Sequence, residues 1–243
     1  MVPKIDQSRT FSSFLNANST TILNKYSFNG DHNVHIPDGY LSPTTVVVSY
    51  LAVAPLWVYG FKRLKRSLNE ETLPMIGALT ALSFVIMMFN IPIPGGTSGH
   101  AVGAALIAIM FDPWIASIAV SLVLFIQAVV FADGGISALA VNALGMAFGG
   151  AFGGYYLFKL LRSRAYAPFV AGWASAVVAS VIIALALGIQ PLFWSDGDKP
   201  LYFPFDLTIT LPALVGEHAL IFGVIEGIFT TIAYRFLTRK DAA

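Results

Sequence analysis

The stretch YAPFVAGWASAVVASVIIALALG, residues 166–188, carries no charged side chain, and its only hydroxyls are those of Tyr166, Ser175 and Ser180. A helix of about 20 apolar residues crosses the hydrocarbon core of a bilayer. There every backbone N–H and C=O must be satisfied inside the segment itself. Residues 166–188 therefore read as a transmembrane helix, and the same pattern recurs at 43–60, 73–90, 98–111, 114–131, 137–161 and 211–237. The third and fourth stretches are parted only by Asp112-Pro113, a tight-turn signal. Merged, they would exceed one bilayer crossing, although the third is short for a full crossing on its own. The reading is an all-α integral membrane protein, a bundle of about seven transmembrane helices.

Composition agrees. Hydrophobic residues make up 56% of the 243-residue chain and charged residues 11%, against about 25% charged in soluble domains. The net charge of +1 carries no information on partners, because in a membrane the location of charge matters more than its sum. Membrane lipid is the expected surrounding and no nucleic-acid partner is expected. The chain has no cysteine, which excludes disulfides, thiolate nucleophiles and thiolate metal sites. Metal ligands must then be nitrogen or oxygen, and the histidines are His32, His35, His100 and His218. No GxxxxGK[ST] string occurs, so the chain does not hydrolyse ATP in the P-loop manner.

Loop charge orients the bundle. Lys62, Arg63, Lys65 and Arg66 follow the first span, Lys159, Arg162 and Arg164 the fifth, and Arg235, Arg239 and Lys240 close the last. The opposite loops hold Lys199 as their one basic residue. The positive-inside rule then puts the N-terminus outside and the C-terminus in the cytoplasm, with the parity of seven crossings. His35, the loop Asn90–His100 and Asp133 all fall on the external side.

Four motifs carry chemistry. The string His35-Ile36-Pro37-Asp38-Gly39-Tyr40-Leu41-Ser42-Pro43 sets a histidine in a stiff turn segment before the first span. Asn90-Ile91-Pro92-Ile93-Pro94-Gly95-Gly96-Thr97-Ser98-Gly99-His100 is a rigid, glycine-rich mouth. Ser98 or Thr97 is placed to cap the helix that follows, with His100 in its first turn. Such backbone is tolerated at membrane depth where it lines a polar cavity. The third motif runs from Gln127 through Asp133-Gly134-Gly135 to Leu139, with Asn142 beyond; the fourth is Glu217-His218 through Gly223 to Gly227.

Together, in this order from His35 to about Thr231, these motifs resemble the CbiM/NikM family. That family is the substrate-specific membrane (S) component of energy-coupling-factor cobalt and nickel transporters. The resemblance implies a substrate-capture subunit, not itself an enzyme, in the plasma membrane. It implies two cytoplasmic ATPase subunits, a transmembrane coupling subunit and a small accessory membrane subunit as partners. Cobalt(II) or nickel(II) is then the transported substrate, with no permanently bound cofactor. The implied metal ligands are a free N-terminal amine, the next amide nitrogen, the imidazole of that residue (here His35) and the imidazole of His100. Nitrogen donors of this kind suit both ions.

In the family the histidine is the second residue, whereas here Val34 precedes His35 and a polar extension, residues 1–33, precedes Val34. The amine can be restored if Val34 is the true start, read from a GTG codon, or if the extension is removed by proteolysis. A third option is that His32 substitutes for the amine. The first is preferred, which leaves 34–243 as a single transmembrane metal-binding domain.

His218, Ser98 and Asp133 are candidates for orienting the ligands from behind. His218 alternatively joins helices or ligates directly, and Asp133 alternatively draws cations to the mouth. Asp38 reads equally as an ordinary turn residue. Glu226, Gln127 and Asn142 read as polar packing contacts, with Glu226 facing a neighbouring helix or a partner. Gly145, Gly149, Gly150, Gly153 and Gly154 read as a close-packing stripe. Two other functions fit parts of the pattern. Gly96-Thr97-Ser98-Gly99 matches the GxSG of an intramembrane serine protease with His218 as base, and a self-sufficient metal channel or carrier needs no partner.

Overall fold

The computed structural model describes residues 35–93, 97–197 and 199–239. The polar extension and Val34 lie outside the described residues.

The helices are α1 (Pro43–Ser67), α2 (Thr72–Met87), α3 (Ala104–Met110) and α4 (Pro113–Val130). The fifth, α5, is α-helical over Leu139–Asn142, π-helical over Ala143–Gly150 and α-helical again over Ala151–Leu161. The sixth, α6 (Ala167–Gly188), is continued by the turn Gln190–Phe193. The last, α7, joins Leu207–Glu217, a π segment His218–Phe222, and Gly223–Thr238. Strand β1 (Ile91–Ile93) pairs antiparallel with β2 (Thr97–Gly99), in register Ile91↔Gly99, Pro92↔Ser98 and Ile93↔Thr97. A second small hairpin pairs β3 (Ser195–Asp196) with β4 (Lys199–Pro200).

Helix starts follow local chemistry. Ser42 accepts the Thr45 amide at 3.1 Å, with Pro43 as the first helical residue of α1. Asp112 accepts the amides of Trp114 and Ile115 at 2.8 and 3.0 Å, with Pro113 next. Asp206 caps α7 through the Thr208 amide. Among the described residues, four helices are long and apolar enough to cross a membrane: Pro43–Ser67, Pro113–Val130, Ala167–Phe193 and Leu207–Thr238. Along α1, Val47, Val48, Leu51, Val58, Tyr59 and Phe61 are exposed, an outward face suited to hydrocarbon rather than water.

The third crossing departs from the sequence reading. A helix over 98–111 with Ser98 or Thr97 as its cap is not formed. The helix begins only at Ala104, its cap position is Gly103 in the left-handed region at φ +77°, and Thr97–Gly99 is strand. Pairing with Ile91–Ile93 takes up these residues instead, and glycine alone enters the left-handed region freely. His100 consequently lies in an extended connection ahead of the helix, not in its first turn. With seven residues, α3 spans only about 10 Å at 1.5 Å per residue.

The two ends of the bundle are chemically distinct. At one end the segment before α1 meets the α4–α5 connection, where Gly135 donates to the Ile36 carbonyl at 2.9 Å. The end of α6 joins it there, as Gln190 accepts the Ser42 amide at 2.9 Å. At the other end Arg63 pairs with Asp112 at 3.0 Å, and Arg235 donates to the Ala165 carbonyl. The basic residues at the ends of α1, α5 and α7 therefore share the end remote from His35.

The expected glycine seam is real. Gly145, Gly149 and Gly153 of α5 lie against Ile183, Ile182 and Val178 of α6, and Gly154 lies against Ala105 and Ala171. A methyl group on Gly154 would sit 2.7 Å from the Ala105 Cβ, whereas one on Gly77 would meet nothing within 4 Å. Gly154→Ala should thus destabilise the detergent-solubilised protein by about 1–3 kcal/mol. Gly77→Ala should not, and thermal unfolding midpoints of the two variants measure the difference.

Candidate metal centre

His35 is fixed from its neighbour outward. Asn142, the last residue before the π segment of α5, closes a two-bond pairing with Ile36. Its Oδ1 accepts the Ile36 amide and its Nδ2 donates to the Ile36 carbonyl, both at 3.2 Å. Gly134, at φ +90°, lies directly on His35, and a Cβ there would come within 2.8 Å of the His35 Cβ. Asp38 fastens the next turn, its Oδ1 accepting both the amide (2.8 Å) and the hydroxyl of Ser137. His35 is left 3% exposed.

His100, 8% exposed, is fixed by other elements. Downstream, Ser83 of α2 donates to the Val102 carbonyl at 2.6 Å. Glu226 of α7 accepts the amides of Val102 and Gly103 at 2.6 and 2.8 Å. Upstream, the ring of Phe222 covers Gly99 so closely that no side chain fits there.

The two imidazoles meet edge-on, with Nε2 of His35 and Nε2 of His100 3.2 Å apart and their rings inclined at 72°. What faces their other nitrogens assigns the tautomers. Nδ1 of His100 lies 3.0 Å from the Ala101 carbonyl, which can only accept, so this nitrogen carries the proton. Nδ1 of His35 faces the Asp133 carbonyl at 3.4 Å and the Asp133 carboxylate at 3.5 Å. With a proton on each Nδ1, both Nε2 lone pairs point at one another and can share an electrophile; with one Nε2 protonated, the same contact is an N–H···N hydrogen bond. For metal–nitrogen bonds of about 2.0–2.1 Å, a 3.2 Å separation corresponds to two adjacent ligands at roughly 100° about one ion. The fused chelate rings of the four-nitrogen set would close through Nδ1 of His35, the nitrogen turned here toward Asp133.

Asp133 thus lies beside His35, with its carbonyl and carboxylate at Nδ1. His218 is half-buried, and its Nδ1 is 2.8 Å from the Leu214 carbonyl of its own helix. Among the described residues no hydrogen bond or ion pair joins it to His35 or His100. Ser98 falls in β2 opposite Pro92, and its side chain lies outside the described part. Val34 lies outside the described residues altogether. Among those described, no three or more His, Asp or Glu side chains are gathered to hold a metal. The polar residues that sequence reasoning treated as packing contacts, Asn142 and Glu226, turn out to hold the two histidine segments. Gln190, buried and bonded to Ser42, Thr45 and Ala186, was missed. A lone amide at the end of an apolar helix was the available signal.

A family model described as the cobalt uptake substrate-specific transmembrane region, CbiM, matches residues 35–243. The chain belongs to the CbiM family. It is 40% identical over 217 residues to the fused nickel transport protein NikMN of Rhodobacter capsulatus, covering 86% of this chain and 62% of that protein. It is 39% identical to a putative metal transport protein of Methanocaldococcus jannaschii, covering 85% of this chain and 92% of the relative. The crystal structure of a truncated transition metal transporter superposes with a TM-score of 0.79 at 40% identity, covering 84% of this chain and 98% of that one. The chain spans about three fifths of the fused relative and nearly all of the shorter one. These relatives are named as transport proteins, not enzymes.

The clasp beneath His35 is acid-sensitive. The Ser137 hydroxyl on Asp38 holds that carboxyl below its ordinary value of 3.8, with partial burial opposing and the amides of Ser137 and Ile136 adding to the lowering. A depressed carboxyl contributes stability that is complete above its unfolded value and lost as pH falls through its folded one. Thermal unfolding followed from pH 6 down to about pH 2 should therefore show a loss below about pH 4. That loss should be smaller in Asp38→Asn, which has no charge to protonate.

Proposed function

We propose that the chain is the substrate-capture membrane subunit of an ATP-driven importer of cobalt or nickel ions. The ion enters from the external face and is taken by His35 and His100. The observation that carries this reading is the pair of buried imidazoles with facing Nε2 atoms 3.2 Å apart. Two neutral nitrogens of this kind suit a borderline divalent ion better than a hard one such as magnesium or calcium.

Two further donors complete a four-nitrogen set: the amide nitrogen of His35 and the amine of residue 34, in a working protein that begins at Val34. Engaging them requires the His35 ring to turn so that Nδ1 leaves Asp133. Before that turn the Asp133 carbonyl and carboxylate keep the ring in place, the usual work of groups behind a metal-bound histidine. His218 and Ser98 have supporting roles at most.

The chain has no P-loop, so the energy comes from partners: two cytoplasmic ATPase subunits, a transmembrane coupling subunit and a small accessory membrane protein. The basic end of the bundle faces the cytoplasm, which sets the imidazole pair toward the outside of the plasma membrane.

The test is nickel(II) and cobalt(II) binding to purified protein, by calorimetry and bound-metal quantification, with N-terminal sequencing of the membrane-inserted chain. His35→Ala and His100→Ala should each weaken binding by at least about 100-fold, the scale of losing one charge-free nitrogen ligand or its orienting group. Ser98→Ala should bind as the parent does. Binding should fall with pH, since protons compete for the ligating nitrogens. Unchanged affinity in both histidine variants would sink the reading.

A further inference from the structure

Helix α7 meets the His100 segment on both sides of the histidine. Phe222, 1% exposed, lays its ring on Gly99, the residue before His100. Glu226, also 1% exposed, takes the amides of Val102 and Gly103, two and three residues after it. The two side chains are four residues apart on one helix and so share a face. Among the described residues neither is hydrogen-bonded to the imidazole.

The Glu226 grip is costly to build. A carboxylate at membrane depth needs specific partners, and among the described residues no lysine, arginine or histidine pairs with it. Each of its oxygens instead accepts one backbone N–H of a segment that has no ladder or helix of its own to satisfy those donors. Gly103, at φ +77°, lets successive amides converge on the one carboxylate. Helix α6 fixes α7 at the same level. Gly172 packs against the Glu226 backbone and Thr230 with no room for a side chain, and Trp173 donates to the Ala219 carbonyl at 2.9 Å.

We propose that Glu226, assisted by Phe222, is the positioning residue for the metal ligand His100, so that α7 sets where the second imidazole stands relative to His35. This rests on the reading of His100 as a ligand. Replacing Glu226 by glutamine puts an NH₂ where an acceptor is needed, so at least one of the two amides loses its partner. The His100 arm then loosens without any change to the imidazole itself.

The experiment uses the full chain in detergent with nickel(II) or cobalt(II) as the probe. It records affinity, the visible absorption of the bound ion, and the unfolding midpoint without metal. Glu226→Gln should lower affinity about 10–100-fold, as loss of a group behind a metal ligand does, and should shift the ligand-field absorption. Thr231→Val, which removes a hydroxyl bonded to the Gly227 carbonyl of its own helix, should change neither affinity nor absorption. Should Glu226→Gln fail to fold, Phe222→Leu, which thins the contact on Gly99, should show the same absorption shift to a smaller degree. Parent-like affinity and absorption in a folded Glu226→Gln, or an equal loss in Thr231→Val, would overturn the proposal. If His100→Ala itself binds as the parent does, the ligand reading falls and takes this one with it. If His100→Ala loses binding while Glu226→Gln does not, the positioning role alone is wrong.

Discussion

Inside a bilayer no water answers an unpaired amide or carbonyl, and among the described residues two non-helical segments, at His35 and at His100, are set against the helices. Everything distinctive about the site follows from how those segments are satisfied. The His35 segment is answered by the Asn142 side chain and the Gly135 amide, and further along by Gln190 on Ser42. The His100 segment is answered by Ser83 and Glu226. Each of these four side chains is at most 2% exposed. They stand in for a helix's own hydrogen bonds and so let the chain present imidazoles where a regular helix could not.

Much of this was legible in the sequence. Helices α1, α2, α4, α5, α6 and α7 fall within a few residues of the apolar stretches that announce them, because a membrane helix writes its length directly into composition. The meeting of His35, His100 and Asp133 followed from topology, since three loops were assigned to one end of the bundle. Family membership was legible too, in four ordered motifs rather than in any one of them.

What was not legible is tertiary. The strand at Thr97–Gly99 depends on a partner across a turn, and a Ser or Thr before a hydrophobic run signals a helix cap whether or not the helix starts there. The π segments after Asn142 and at His218 leave no trace in hydropathy, because they alter the hydrogen-bond register and not the residue types. The roles of Asn142 and Glu226 were invisible for a related reason. Their partners are backbone groups, and a sequence does not say which backbone groups will be left over.

The two histidines are tethered to different helices. His35 is moored to α5 through Asn142, His100 to α7 through Glu226 and Phe222, and α6 packs between the two moorings. Metal–nitrogen distances tolerate only about 0.2 Å of error. An ion held by both imidazoles, as proposed above, would therefore act as a gauge of the spacing between α5 and α7. A slide of one past the other by a single ångström would part the two nitrogens with every helix intact.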